Sequence, residues 1–266
     1  MNMAKEDEIE RTATGITGFD KLIEGGLEKN SVVLVKGGTG SGKTVFSLQF
    51  VYNGCTKYDE PGVFISFAES KKSIYTTAKR FGWDMEKLEK DGTFAFIKQS
   101  PHEVERILKE GGGTIKDTVD SVGAKRIAID SLTAYSMMFR TNYEISEGVL
   151  ELMEMLKSWN CTAVVTDEET IDIHQMQGGR LVFLSDGLIH MYYIRKEYGK
   201  FRAMEIIKMR HTAHSDRISL FTIAKQGMAV SSEAGIFATE RASDDVYQVA
   251  HRSDEQLVKE IKNRNK

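Results

Sequence analysis

The sequence predicts an α/β protein: a mostly parallel sheet covered by helices on both faces, with antiparallel strands added toward its C-terminal end. Three observations lead there. Between Ser31 and Thr166, short β-rich runs alternate with helical stretches, the rhythm of a sheet buried on both sides by crossover helices. A glycine-rich loop joins the first of these runs to the first helix. Beyond Leu188 the alternation stops, and two β-rich runs flank the turn Lys196–Lys200 (KEYGK), as in an antiparallel hairpin.

The elements follow in order. Ser31 to Lys36 (SVVLVK) is a short apolar strand, and Lys43 to Asn53 continues as a helix. Gly62 to Phe67 (GVFISF) is a second strand, followed by a helix over Ser70 to Phe81, and Thr93 to Ile97 (TFAFI) is a third. After the glycine cluster Gly111 to Gly113 come a helix, the strand Arg126 to Asp130 (RIAID), a long helix over Glu144 to Trp159, and the strand Thr162 to Thr166 (TAVVT). Leu188 to Arg195 and Lys200 to Arg210 form the hairpin.

Composition bounds the function. The chain has 266 residues, 41% hydrophobic and 28% charged, enough for one large buried core. With only two prolines, and no Pro- or Ser-rich linker, residues 11–232 read as one domain. It is flanked by a polar extension at 1–10 and a polar, helical one at 233–266. A net charge of −3 argues against a chain-wide footprint for nucleic acid or membrane. No apolar run approaches the roughly 18–20 residues that span a bilayer, and the acidic start is unlike a signal peptide. Two cysteines are too few for a disulfide framework and suit a reducing cytoplasm. The six histidines show no metal-ligand spacing.

The loop Gly37-Gly38-Thr39-Gly40-Ser41-Gly42-Lys43-Thr44 matches the Walker A pattern, between a strand and a helix as that motif requires. Its glycines let backbone N–H groups of Gly38 to Val45 turn inward around phosphate oxygens, and the helix N-terminus adds partial positive charge. Lys43 reaches the β and γ phosphates, and the Thr44 hydroxyl ligates Mg²⁺. A second Mg²⁺ partner should be a carboxylate at the end of a buried strand, and Asp130 stands there. The expected ligands are therefore ATP or ADP with Mg²⁺.

From these residues the chain resembles the KaiC-type branch of the RecA-like P-loop ATPases. The resemblance runs over roughly Thr12 to Ser231. It is carried by Thr14-Gly15-Ile16-Thr17-Gly18-Phe19-Asp20-Lys21-Leu22 with Gly25-Gly26-Leu27, by Phe81-Gly82-Trp83-Asp84, by Ile129-Asp130-Ser131-Leu132, by Ser185-Asp186-Gly187, and by Lys208-Met209-Arg210-His211-Thr212-Ala213-His214. The resemblance implies a RecA-like core and a homohexamer with nucleotide at subunit interfaces. It also implies that Lys208, Met209, Arg210, Thr212 and His214 reach a neighbour's nucleotide; Trp83 either packs near the base or simply fills core. Lys208 and Arg210, two apart on a strand, would share one sheet face.

Two departures bear on activity. Relatives usually carry a Glu–Glu pair after the second strand, and here the pair reads Ala68-Glu69. Glu69 can orient the attacking water only if the backbone turns at the strand end, and losing a water-activating carboxylate costs about 10²–10⁴ in rate. At Ala224-Lys225 some relatives carry polar and acidic nucleotide contacts. Thr166, Asp167 and Glu168 are sensor candidates, and the paired glycines in Gln175 to Arg180 suit a mobile loop or an ordinary surface one. The expectation is a slow, Mg-dependent hexameric ATPase acting as a nucleotide-driven switch on a protein partner that the resemblance leaves unnamed. Its alternatives are a catalytically weak ATP-gated scaffold and a RadA-like recombination accessory, the last disfavoured by the charge.

Overall fold

A computed structural model describes residues 9–100, 103, 113–168, 184–196 and 199–231. The expected helix at the C-terminal end and the loop Gln175 to Arg180 lie outside the described residues.

The first strands, β1 (Arg11–Thr12) and β2 (Leu27–Glu28), pair antiparallel and hold the segment between them against the domain. Within that segment Asp20 accepts hydrogen bonds from the Thr14 and Gly15 amides, both at 2.9 Å. This explains the Thr-Gly and Asp of the entering motif as one side-chain-stapled turn. The main sheet follows: β3 (Val32–Gly37), α1 (Lys43–Lys57), β4 (Gly62–Ser66), α2 (Lys71–Lys79), α3 (Met85–Lys90), β5 (Phe94–Lys98), α4 (Gly113–Val122), β6 (Arg126–Asp130), α5 (Leu132–Ser136), α6 (Asn142–Ser158) and β7 (Thr162–Glu168). It is completed by β8 (Gly187–Lys196), β9 (Gly199–Met209), β10 (Ser219–Ala224) and β11 (Gly227–Val230).

Among the described residues the sheet has nine strands in the order β11-β10-β9-β8-β3-β7-β6-β4-β5. From β8 to β5 neighbours run parallel, and β9, β10 and β11 are antiparallel additions. Strand periodicity sorts the core into two layers. Val33 and Val35 face α1, where Phe46, Phe50 and Val51 cover them, while Val32 and Leu34 face α6, against Leu152 and Leu156. Because β3 is central and buried on both sides, its apolar run continues without alternation, as expected for a parallel core strand.

Candidate nucleotide site

The C-terminal ends of the parallel strands form one edge of the sheet, and the glycine loop leaves β3 there. Two backbone positions fix its path. At Gly37 a Cβ would stand 2.2 Å from the Met191 carbonyl oxygen, so only glycine lets β3 leave beside β8. Gly42 takes φ of 108° as the residue before α1, a left-handed conformation natural to glycine. The loop therefore wraps onto the N-terminus of α1, where unpaired N–H groups and the helix dipole favour an anion.

Lys43 is half-buried, and its ammonium turns inward to donate to Gly37 O (2.6 Å) and Gly38 O (3.1 Å). Burial pushes its pKa down, while Glu168, Asp130 and Asp167 pull it back up. Asp130 ends β6 and is 8% exposed. Burial raises its pKa, opposed by hydrogen bonds from the Thr166 and Thr44 hydroxyls, the Thr166 bond being 2.5 Å long. Thr44 and Asp130 are thus brought side by side, as a shared cation requires, so the donor set fits Mg²⁺: two hard oxygen ligands beside a phosphate cradle.

The three sensor candidates all touch this edge. Thr166 bonds Asp130, Asp167 pairs with Lys36 at 3.8 Å and accepts from Thr133 at 2.9 Å, and Glu168 accepts from Thr39 of the loop. The chain turns after β4, where the Glu69 amide donates at 2.9 Å to the Oγ of Ser66, the register partner of Asp130 on the neighbouring strand. The Glu69 carboxylate accepts from Ser73 of α2 at 2.5 Å. Ala68 is exposed.

Other expected residues are not at this edge. Leu188 pairs with Lys208 and Gly187 with both Val33 and Met209, so the end of β9 is level with the start of β3, about four residues or ~13 Å of strand from the loop. Lys208 donates to Ser185 O at 2.7 Å, and Arg210 pairs with Asp186 at 3.2 Å. Asp186 also accepts from Lys157 (2.8 Å) and from the Val32 amide (3.0 Å), making it the anchor of this opposite edge. Burial, then Arg210, hold the Lys208 pKa down. Arg210 lies in the turn after β9, so the shared strand face expected for the pair is replaced by a shared anchor, the Ser185-Asp186 segment. Thr212 accepts from Arg11 at 2.6 Å, and His214 Nδ1 lies 3.1 Å from Ser215 O. Met209 packs into the core. Trp83 also belongs to the core: it is 5% exposed and stacks on Tyr52 at 5.2 Å, beneath Phe81. Phe81, not Trp83, lines the cavity beside the loop.

That cavity, about 550 Å³, is lined by loop and α1 residues together with Arg80 and Arg202, which the sequence reading did not single out, and with Ala224 and Lys225, where it noted a departure from the family pattern. Arg202 donates to Gly40 O at 3.1 Å and lies 4.7 Å over the Tyr193 ring. It reaches the loop because β9 runs antiparallel to β8, so its early residues return to the phosphate edge.

A glycine cradle opening a helix, a half-buried lysine and a strand-end Asp beside a Thr, on a mixed sheet of this order, define a nucleotide-binding P-loop protein with a RecA-like core. The family is narrower: a family model described as "ATPase: KaiC" matches residues 12–235, and the chain belongs to that family. It is 31% identical over 245 residues to the circadian clock oscillator protein KaiC of Prochlorococcus marinus subsp. pastoris, covering 89% of this chain and 48% of that protein. It is 31% identical over 252 residues to KaiC of Synechococcus elongatus, covering 91% of this chain and 48% of that one. The chain thus spans about half the length of the curated relatives it matches. A crystal structure of a KaiC-like protein from the hyperthermophilic archaeon Pyrococcus horikoshii superimposes with a TM-score of 0.75 at 34% identity, covering 84% of this chain and 99% of that one. Among the described residues no helix is long and apolar enough to cross a membrane.

Proposed function

We propose that this chain is a Mg-dependent ATPase, converting ATP to ADP and phosphate, that works as a homohexameric nucleotide-driven switch in the cytoplasm, its ATPase domain being residues 11–232. The observation that carries the reading is the division of the expected site between opposite edges of one sheet. The loop, Asp130 and Glu69 lie at one edge and Lys208 and Arg210 at the other. A head-to-tail ring joins those edges at every interface, because a heterologous contact that closes on itself repeats one pairing around the ring.

Lys43 and the loop amides bind the triphosphate. Thr44 and Asp130 would hold Mg²⁺, which supplies charge neutralisation at the β and γ oxygens when bound. Glu69 orients water, once its carboxylate leaves Ser73. Lys208 and Arg210 of a neighbouring copy stabilise the charge that develops on the transferred group.

A second reading, an ATP-gated scaffold acting through a protein partner, is favoured by one observation: Ala68 is exposed where relatives carry a carboxylate, and Glu69 is engaged by Ser73. Single-site ATP turnover, with light scattering for mass, on wild type, Glu69→Gln and Lys208→Ala decides between them. On the ATPase reading both substitutions abolish turnover and leave nucleotide binding. Tight binding and assembly with turnover no faster than Glu69→Gln would establish the scaffold.

A further inference from the structure

The two cations of the far edge are held by the Ser185-Asp186 segment, and Asp186 holds that segment to the sheet. It closes a two-bond ring with Val32, the first residue of β3. The Asp186 amide donates to Val32 O at 2.9 Å, and the Val32 amide donates to Asp186 Oδ2 at 3.0 Å. The other carboxylate oxygen, Oδ1, accepts from Lys157 of α6 at 2.8 Å and from Arg210 Nη1 at 3.2 Å. The Arg210 amide donates to Asp186 O at 2.8 Å, and Lys208 Nζ donates to Ser185 O at 2.7 Å. The Asp186 side chain is 15% exposed and that of Arg210 45%, so the anchor is sunk and the guanidinium stands out from it.

This arrangement does more than neutralise charge. A guanidinium is a planar fork with five N–H donors, so it can be fixed at one corner and still offer a phosphate two parallel N–H groups. Asp186 supplies such a corner, mounted on the strand whose last residue, Gly37, opens the loop. It also lies among three cations. Burial, then Arg210 and Lys157, lower the Lys208 pKa, and Asp186 raises it. Without that carboxylate Lys157, Lys208 and Arg210 repel one another, and Arg210 loses the side-chain bond that sets its direction.

We propose that Asp186 is the positioning residue for the trans-acting pair, fixing the direction from which Lys208 and Arg210 meet a neighbour's transferred phosphate. The proposal rests on the ring reading above and goes beyond it in assigning the residue that sets the pair's geometry. It is tested by ATP turnover and labelled-ADP binding of Asp186→Asn, alone and mixed before assembly with an equal amount of Lys43→Ala or of Lys208→Ala. A mixture of Lys43→Ala with Lys208→Ala is the reference. Asparagine keeps an acceptor for the Val32 amide and loses the charge, and a melting curve checks the fold. Asp186→Ser, which also keeps one acceptor, takes its place if the Asn variant melts below the assay temperature.

The expected result is a kcat at least about fivefold below wild type, within the ~10²-fold that a misplaced catalytic group can cost. ADP binding and the KM for ATP should stay within about twofold of wild type, because the loop is untouched. Mixed with Lys43→Ala, the variant should recover to about a quarter of the wild-type rate per site, its sound loop meeting the sound cations of the other copy. Mixed with Lys208→Ala it should show only the average of the two, because both lesions lie in the same half of the site. A merely structural defect spoils both halves and recovers with neither. If the reference mixture recovers, the proposal is overturned by a smaller loss of kcat, by ADP binding that weakens in step with it, by recovery with Lys208→Ala, or by recovery with neither, and the ring reading stands. If the reference mixture stays inactive, the ring reading itself falls, and this proposal with it.

Discussion

Single residues carry the chemistry, and those within the loop motif were legible because a motif fixes backbone and side chain together. Lys43 and Thr44 open α1 beside Asp130 at the end of β6. Lys43→Ala is therefore expected to weaken nucleotide binding at least a hundredfold while leaving the fold intact, read by labelled-ADP titration beside circular dichroism. Glu69→Gln should cut turnover by about 10²–10⁴ without loosening binding. Residues whose role depends on what lies opposite were not legible. Trp83 sits in a segment the family shares, yet its large ring is buried against Tyr52 and its neighbour Phe81 takes the cavity wall. Glu205 on β9 is another such residue. It accepts a hydrogen bond from Tyr192, and burial raises its pKa. A carboxyl whose folded pKa is raised favours the folded state below its unfolded pKa, and that contribution is lost as pH rises through the folded value. Glu205→Gln keeps an acceptor for Tyr192 without the charge. It should raise Tm at pH 7–8, with the gain vanishing toward pH 4, as a pH series of thermal melts would report.

At the scale of elements, the parallel strands and their helices were read closely because each is long and strongly patterned: Arg126–Asp130 matches residue for residue, and β3 is displaced by one. Short pieces escaped. The strands β1 and β2, of two residues each, and the helix α5 of five have no period to detect. The start of α6 was set two residues late, because its signal is a cap. Thr141 accepts from the Glu144 amide, and Glu144 reaches back to the Thr141 amide at 3.1 Å. Thr141→Ala should cost about 1 kcal/mol, or roughly 2–4 °C in Tm for a chain of this size. Helix α1 is constrained from within. Arg126 is fully buried and donates to Glu60, Phe50 O and Ala13 O, binding the incoming chain, α1 and β6 together. A Cβ on Gly54 would stand 2.4 Å from the Arg126 side chain. Gly54→Ala, which helix propensity alone would favour by about 1 kcal/mol, should instead destabilise by about 1–3 kcal/mol through overpacking. A higher Tm for Gly54→Ala would contradict that placement.

For the molecule as a whole, topology separates what sequence could only enumerate. Lys208 and Arg210 were legible as cations in a family motif, but which nucleotide they serve is a question of sheet order and strand direction. Strand β9 returns antiparallel beside β8, which puts Arg202 at the loop of its own chain and Lys208 level with Leu34, toward the far edge. On the ring reading proposed above, one substitution at each edge disables a different half of a shared site. Lys43→Ala removes the phosphate-binding half and Lys208→Ala the half presented to a neighbour, and each alone should be inactive in a homogeneous ring. Mixed before assembly in equal amounts, the two variants place an intact loop against an intact Lys208 at about one interface in four, if copies combine at random in a head-to-tail ring. Turnover should therefore return to about a quarter of the wild-type rate per site, the recovery tracking the mixing ratio with its maximum at equal parts. Were Lys208 to act on its own chain's nucleotide, no mixture would recover activity, because every copy would carry one lesion in its only site.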